Sequence, residues 1–195
     1  MKAPDEVLDE LAQLQRLVAE YPPLDAGATA ALLSEVGDQG LDADPRRQLV
    51  QHHLWLVLGE AVAAGAPGMS TADLFQEGTT ALLKVVHGLA PGTGLGPEEF
   101  LAQVRAAVAI AISATVEDEA RARERDQQWA RDAELLFVIE TELRLESGEP
   151  PTDRELATKL GWDEERVQQL RRAVAEASSQ HDLELMEALG EMEDE

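Results

Sequence analysis

Asp73, Gln76 and Glu77 stand in the run Asp73-Leu74-Phe75-Gln76-Glu77-Gly78, two carboxylates and an amide at helical spacing. Such groups offer ion-pairing and hydrogen-bonding chemistry, above all charge-assisted pairing with arginine. The run lies inside Ser70–Lys84, which reads as a helix with polar side chains on one defined face. Ser70 and Asp73 have capping-box spacing, so the helix can satisfy its own first N–H groups. Leu74, Phe75, Leu82 and Leu83 supply a packed face, and Gly78 lets another surface approach closely.

No other group of residues carries a stronger chemical signal. His52 and His53 are adjacent, so on a helix they point about 100° apart and do not share one metal. His87 and His181 are isolated, so no metal site is expected, and His53 reads as a hydrogen-bonding residue at the edge of a core. The carboxylates read as solvated faces because none sits in an apolar pocket motif. Gly92-Thr-Gly94-Leu-Gly96 lacks the Lys-Ser/Thr of a phosphate loop and follows a helix instead of a strand. Neither a cofactor nor an enzymatic activity is expected. Trp55, Trp129 and Trp162 read as packing anchors, Trp162 closing the turn after Gly161. Trp129, in a charged stretch, could also serve as a partner hot spot.

The elements that position these residues are helices, so the fold class expected is all-α. Val7, Leu8, Leu11, Leu14, Leu17 and Val18 recur at helical spacing until Tyr21-Pro22-Pro23 stops them. A second helix fits 26–36, ending near Gly37 and Gly40. Asp42-Ala-Asp-Pro45 opens one long helix packing Leu49, Leu54, Leu56, Val57 and Val62, with Pro45 in its first turn. The Asp73 helix runs to about Leu89, and the breaker cluster 90–97 follows. Phe100, Val104, Val108, Ile112 and Val116 line the next helix. Its many alanines imply close helix–helix approach. From Glu117 a mixed-charge solvated helix or linker is expected. A smaller helical unit spans 130–177, with a cap and capping box at Pro151-Thr-Asp-Arg-Glu155 and a helix end at Gly161. The last dozen residues read as an acidic tail.

The chain has 195 residues, no cysteine and a net charge of −23. Absence of cysteine excludes disulfides and thiol chemistry and fits a reducing cytoplasm. No signal peptide is recognised, and the longest apolar run, 106–116, is shorter than a bilayer span, so a soluble cytoplasmic protein is expected. Residues 1–45 carry 2 basic and 10 acidic groups (net −8), 46–118 carry 4 and 7 (−3), and 119–195 carry 10 and 22 (−12). Acidic flanks around a nearly neutral centre repel nucleic acid and attract basic protein surfaces. Solubility alone would also account for the acid.

These pieces, in this order, resemble the sigma-70-like sigma factors of bacterial RNA polymerase from about residue 11 to residue 183. The usual core-binding run is Asp-Leu-Ile-Gln-Glu-Gly; His53-Leu-Trp-Leu-Val57 stands where Asn-Leu-Arg-Leu-Val is usual, and Gly68-Met-Ser70 where Gly-Leu-Ser is usual. Residues 148–167 resemble the family's third region. The resemblance implies acidic helices at 1–45 akin to the short region before the core-binding domain, and a region-2-like core-binding domain at 46–118. It further implies a small helix-turn-helix-like region-3 domain at 119–182, before the tail at 183–195. It also implies that Asp73, Gln76, Glu77, Thr79 and Leu83 dock on the coiled coil of the polymerase's largest subunit. Thr79 replaces the usual Asn, and Ala72 a common Leu.

The family's promoter-melting surface is expected to be degenerate here. Its basic loop is replaced by Gly88, Pro91, Gly92, Gly94, Gly96 and Pro97. Of the aromatic set that stacks on a flipped base, a contact worth about 1–3 kcal/mol, only Phe100 remains; Gln103, Val104 and Arg105 fill the rest. Ala106, Ala107, Ala109 and Ala111 occupy the base-reading region, and alanine has no group to read a base edge. No counterpart of the family's fourth region is expected within these 195 residues. In the pair 153–161 and 163–175, Asp163-Glu164-Glu165 opposes phosphate, although Arg166, Arg171 and Arg172 offset it in part, so a packing module is expected there.

The reading that results is a regulator that binds RNA polymerase core, with DNA binding weak or absent and no membrane association. Three alternatives stand beside it: a divergent but active sigma factor, a decoy for an anti-sigma protein, and acidic flanks that occupy a basic channel.

Overall fold

The computed structural model describes residues 4–37, 44–65, 67–92 and 94–193, with side chains described from residue 10 to residue 179. Gly40 and Asp42, and the side chains of Val7, Leu8, His181 and the acidic tail, lie outside what is described. Among the described residues all regular structure is helical: α1 (Pro4–Ala19), α2 (Ala26–Glu35), α3 (Asp44–Gln51), α4 (Leu54–Ala64), α5 (Thr71–His87), α6 (Pro97–Ser147), α7 (Asp153–Leu160) and α8 (Glu164–Glu193). The chain divides into two compact units, Met1–Ala120 and Arg121–Glu195.

In the first unit, α5 packs against α1, α3 and α4. Leu49, Val57, Leu74, Leu82, Val86, Phe100, Val104 and Val108 are all essentially fully buried in one core. Their spacing along α3 to α6 is the apolar stripe read from the sequence. The helices approach most closely at Gly78. A Cβ there would lie 2.7 Å from Val57 Cγ1 and 3.2 Å from both Val108 Cγ1 and Ile112 Cδ1. Hydrogen at this position is what allows α4, α5 and α6 to meet.

The single long helix expected from Asp42 to Val62 is two helices. The break falls at His53, which is 2% exposed. Its Nδ1–H donates to the Leu49 carbonyl (2.6 Å), the acceptor that its own amide would use in a continuing α-helix. The His53 amide turns to Val50 O instead (3.1 Å), and α4 restarts from there. A side chain has displaced a backbone ladder bond, a competition invisible to apolar periodicity.

Burial lowers the pKa of His53, outweighing the opposing effect of the Leu49 hydrogen bond, and the His52 charge lowers it further. The folded state therefore keeps the ring neutral, while an unfolded chain protonates it near 6.5. Stability from this site is complete above that pH and is lost as pH falls below it, because the unfolded state then binds the extra proton. Thermal melts between pH 7.5 and 5.5 should show the wild type losing stability relative to His53→Gln. Parallel pH profiles would contradict the assignment.

Of the mixed-charge helix or linker expected after Glu117, the structure shows the helix: α6 runs on to Ser147. Residues 98–147 contain no Gly or Pro and are rich in Ala, Glu, Gln and Arg, all strong helix formers. Contacts such as Gln128 Nε2 to Asp132 Oδ1 (2.8 Å) add support one turn apart. By length and composition α6 is also long and apolar enough to cross a bilayer, a test that the core helix of a soluble protein passes as well. That stretch, however, contributes Phe100, Val104, Val108 and Ile112 to the first unit's core.

The second unit packs Leu136 of α6 against Leu156 of α7 and Val167 and Leu170 of α8. The capping box at Thr152 and Glu155 forms as read, with Thr152 N–H donating to Glu155 Oε2 (2.8 Å) and Glu155 N–H to Thr152 Oγ1 (3.3 Å). Gly161 takes the left-handed conformation (φ 68°), and the Trp162 amide closes the turn on Ala157 O (3.0 Å). Trp162 packs on the small core as expected. The backbone of α8 continues helically to Glu193, through the stretch read as a tail.

Candidate docking helix

α5 starts where the sequence places its cap. Ser70 Oγ accepts the Asp73 N–H (3.1 Å) and donates to Asp73 Oδ2 (2.7 Å), so the carboxylate grips the cap hydroxyl. A second acid, absent from the sequence reading, completes this end. Glu10 of α1 accepts the Ala72 N–H through Oε1 (2.8 Å). Carboxylates at a helix N-terminus meet the positive end of its dipole.

The far end of α5 is held by Arg46, also absent from the sequence reading. Arg46 is 5% exposed. Its guanidinium donates to Val86 O, to His87 O (3.1 Å), to Leu89 O (2.8 Å) and to Gly37 O (3.1 Å). A planar cation with five donors suits a helix C-terminus whose last carbonyls lack intrahelical partners. An arginine in the first turn after Pro45 carries no sequence signal of such a role. Only the chain's return brings Val86 to it, 40 residues on.

Between these clamps, Asp73, Gln76 and Glu77 are exposed, and Leu74, Phe75, Gly78, Ala81 and Leu82 are buried. At about 100° per residue, the three polar groups share one outward face with Thr80 and Lys84. Thr79 and Leu83 are half-buried on its flank. The Thr79 hydroxyl donates back to Phe75 O (2.7 Å). The five expected positions thus divide into three outward polar groups and two at the margin.

The positions expected to be degenerate for melting divide as well. Phe100 and Val104 are fully buried, and Phe100 meets the His53 ring edge-on at 5.1 Å. Gln103 and Arg105 are exposed, with Arg105 Nε 3.9 Å from Glu60 Oε1. In the second unit, two of the cations of the α7–α8 pair, Arg166 and Arg171, are engaged internally. Arg171 bonds Asp153 (2.7 Å) and Glu140 (2.9 Å), while Arg166 bonds Asp132 and lies 4.5 Å over the Trp162 ring. Trp129 is half-exposed and lines a cavity with Leu170, Gln128 and Arg125. No group of three or more His, Asp or Glu positioned for a metal occurs among the described residues.

No family model matches the chain. It is similar to the RNA polymerase sigma factor SigA of a Bacillus species, 26% identical over 138 residues. The similarity covers 71% of this chain, and the chain spans only 36% of that protein's length.

Proposed function

We propose that this protein is a sigma-factor-like transcription regulator that docks on RNA polymerase core through α5 and does not itself melt promoters. The observation that carries the reading is the division of α5 and α6 into an offered and a withdrawn surface. Asp73, Gln76 and Glu77 are outward on a helix fixed at both ends. Phe100, the one aromatic left for base stacking, is inside.

The contact set is Asp73, Gln76 and Glu77, with Thr79 and Leu83 at the edge, facing arginines on a coiled coil of the largest subunit. Docking is assigned to 46–118. The internal pairing of Arg166 and Arg171 supports a packing role for 119–182, since paired guanidiniums are not free to neutralise phosphate. A cytoplasmic setting and the lack of enzymatic chemistry accompany this role.

Affinity capture of core polymerase by the wild type and by Gln76→Ala with Glu77→Arg tests it. Both side chains are exposed, so the variant should keep its unfolding temperature while binding falls about tenfold, roughly 1.4 kcal/mol. Equal recovery, or no recovery with either protein, counts against the docking face. Promoter-specific run-off transcription from core plus this chain alone would instead favour an active sigma factor.

A further inference from the structure

The outer face of α6 in the second unit is apolar where water should meet it. Leu136 and its neighbours Ala133, Ile139 and Leu143 turn inward to that unit's core. On the opposite side Val138 is 57% exposed and Leu145 82%, and on the flank Phe137 is 71% exposed. Val138 and Leu145 are seven residues apart, two turns, so they align along one stripe that Phe137 and Thr141 widen. Isolated exposed apolar residues are ordinary; two aligned aliphatics with an exposed aromatic beside them mark an interaction surface.

The charges around the stripe say what covers it. Exposed Glu134, Glu142 and Glu146 border it against Arg131 and Arg144; Arg144 already bonds Glu140 (3.3 Å) and Glu142 already pairs with Lys159 (3.4 Å), which leaves Glu134 and Glu146 against Arg131. Residues 119–179, whose side chains are described, carry 15 acidic groups against 10 basic ones. An anionic bilayer and a nucleic acid are both repelled by such a field. A second copy brings the same sign of charge to the face. A partner with an apolar stripe and basic flanks meets both demands at once.

We infer that the Phe137–Val138–Leu145 face docks an amphipathic helix of a partner protein whose apolar stripe is bordered by Lys or Arg. The mode is helix against helix, with leucine-type side chains seated around Phe137 and the basic flanks pairing with Glu134 and Glu146. This surface is separate from α5 and does not depend on the polymerase reading.

The probe is a labelled synthetic helix of about 18 residues with leucines at i, i+3, i+4 and i+7 and lysines elsewhere, with a twin in which glutamate replaces lysine. Both are titrated against the full chain by fluorescence anisotropy at physiological ionic strength. The lysine peptide should bind about tenfold more tightly than its twin. Phe137→Ser with Leu145→Ser should weaken it by about fivefold at an unchanged unfolding temperature, because neither side chain is in the core. The Gln76→Ala, Glu77→Arg chain should bind it as the wild type does, which separates this result from failure of polymerase docking. Equal binding of the two peptides overturns the proposal, as does binding indifferent to the double serine variant. Dimerisation, or flotation with anionic phospholipid vesicles, that is abolished by those serines would assign the face to another occupant and overturn it equally.

Discussion

Replacing Arg46 with alanine should destabilise the first unit by about 3–5 kcal/mol, a large share of the 5–15 kcal/mol that typically holds a domain together. The guanidinium serves four carbonyls, at Gly37, Val86, His87 and Leu89, in a site that is 5% exposed. Hydrogen bonds to a charged donor contribute about 1.5–3 kcal/mol each, and buried carbonyls left without a partner add their own desolvation cost. The contributions overlap, so the total stays well below their sum. Arg46→Met separates packing from hydrogen bonding, since methionine fills the space of the arginine stem without any donor. It should recover less than half of the loss. Arg46→Lys should also fall short, because one ammonium does not span four acceptors as a planar fork does. Urea unfolding of the four proteins decides the matter; if Arg46→Met lies within about 1 kcal/mol of wild type, the cap is not what secures α5.

Arg46 also marks the boundary of what the sequence made legible. Helix identity, the Ser70 and Thr152 caps, the Gly161 stop and the inward stripes of α4 to α6 depend on residues a few positions apart, so spacing reveals them. The outward face of Asp73, Gln76 and Glu77 follows from the same arithmetic. What spacing does not carry is pairing across the fold. Arg46 finds carbonyls 40 or more residues away, and Glu10 reaches an amide 62 residues along. The His53 break was hidden for a different reason: a buried imidazole takes a backbone carbonyl four residues back, in a stretch whose leucines keep a helical rhythm. At Glu117 the mixed charge left helix and linker both open; the absence of Gly and Pro between 98 and 147 is the local signal that favours the helix.

Phe100→Ala should cost about 3–5 kcal/mol, the usual consequence of removing a buried ring from a core that does not collapse to fill the void. Phe100 is fully buried, and its ring stands edge-on to His53 at 5.1 Å and an interplanar angle of 89°. Edge-to-face pairs contribute about 0.5–1.5 kcal/mol beyond buried area, so Phe100→Leu, which keeps most of the volume, should lose roughly that amount. The measurement bears directly on function. A ring held ready to stack on an unpaired base would be solvent-facing, and its removal would leave stability nearly unchanged while weakening single-strand binding by about 1–3 kcal/mol. The structure sets the opposite expectation, a large loss of stability and no loss of affinity for single-stranded DNA in whatever fraction remains folded. The coupling to His53 sharpens it: in a double-mutant cycle, Phe100→Leu and His53→Gln should be non-additive, because each removes the other's partner. An additive cycle together with a stable Phe100→Ala would place the ring at the surface, and the division between an offered α5 and a withdrawn α6 would fall with it.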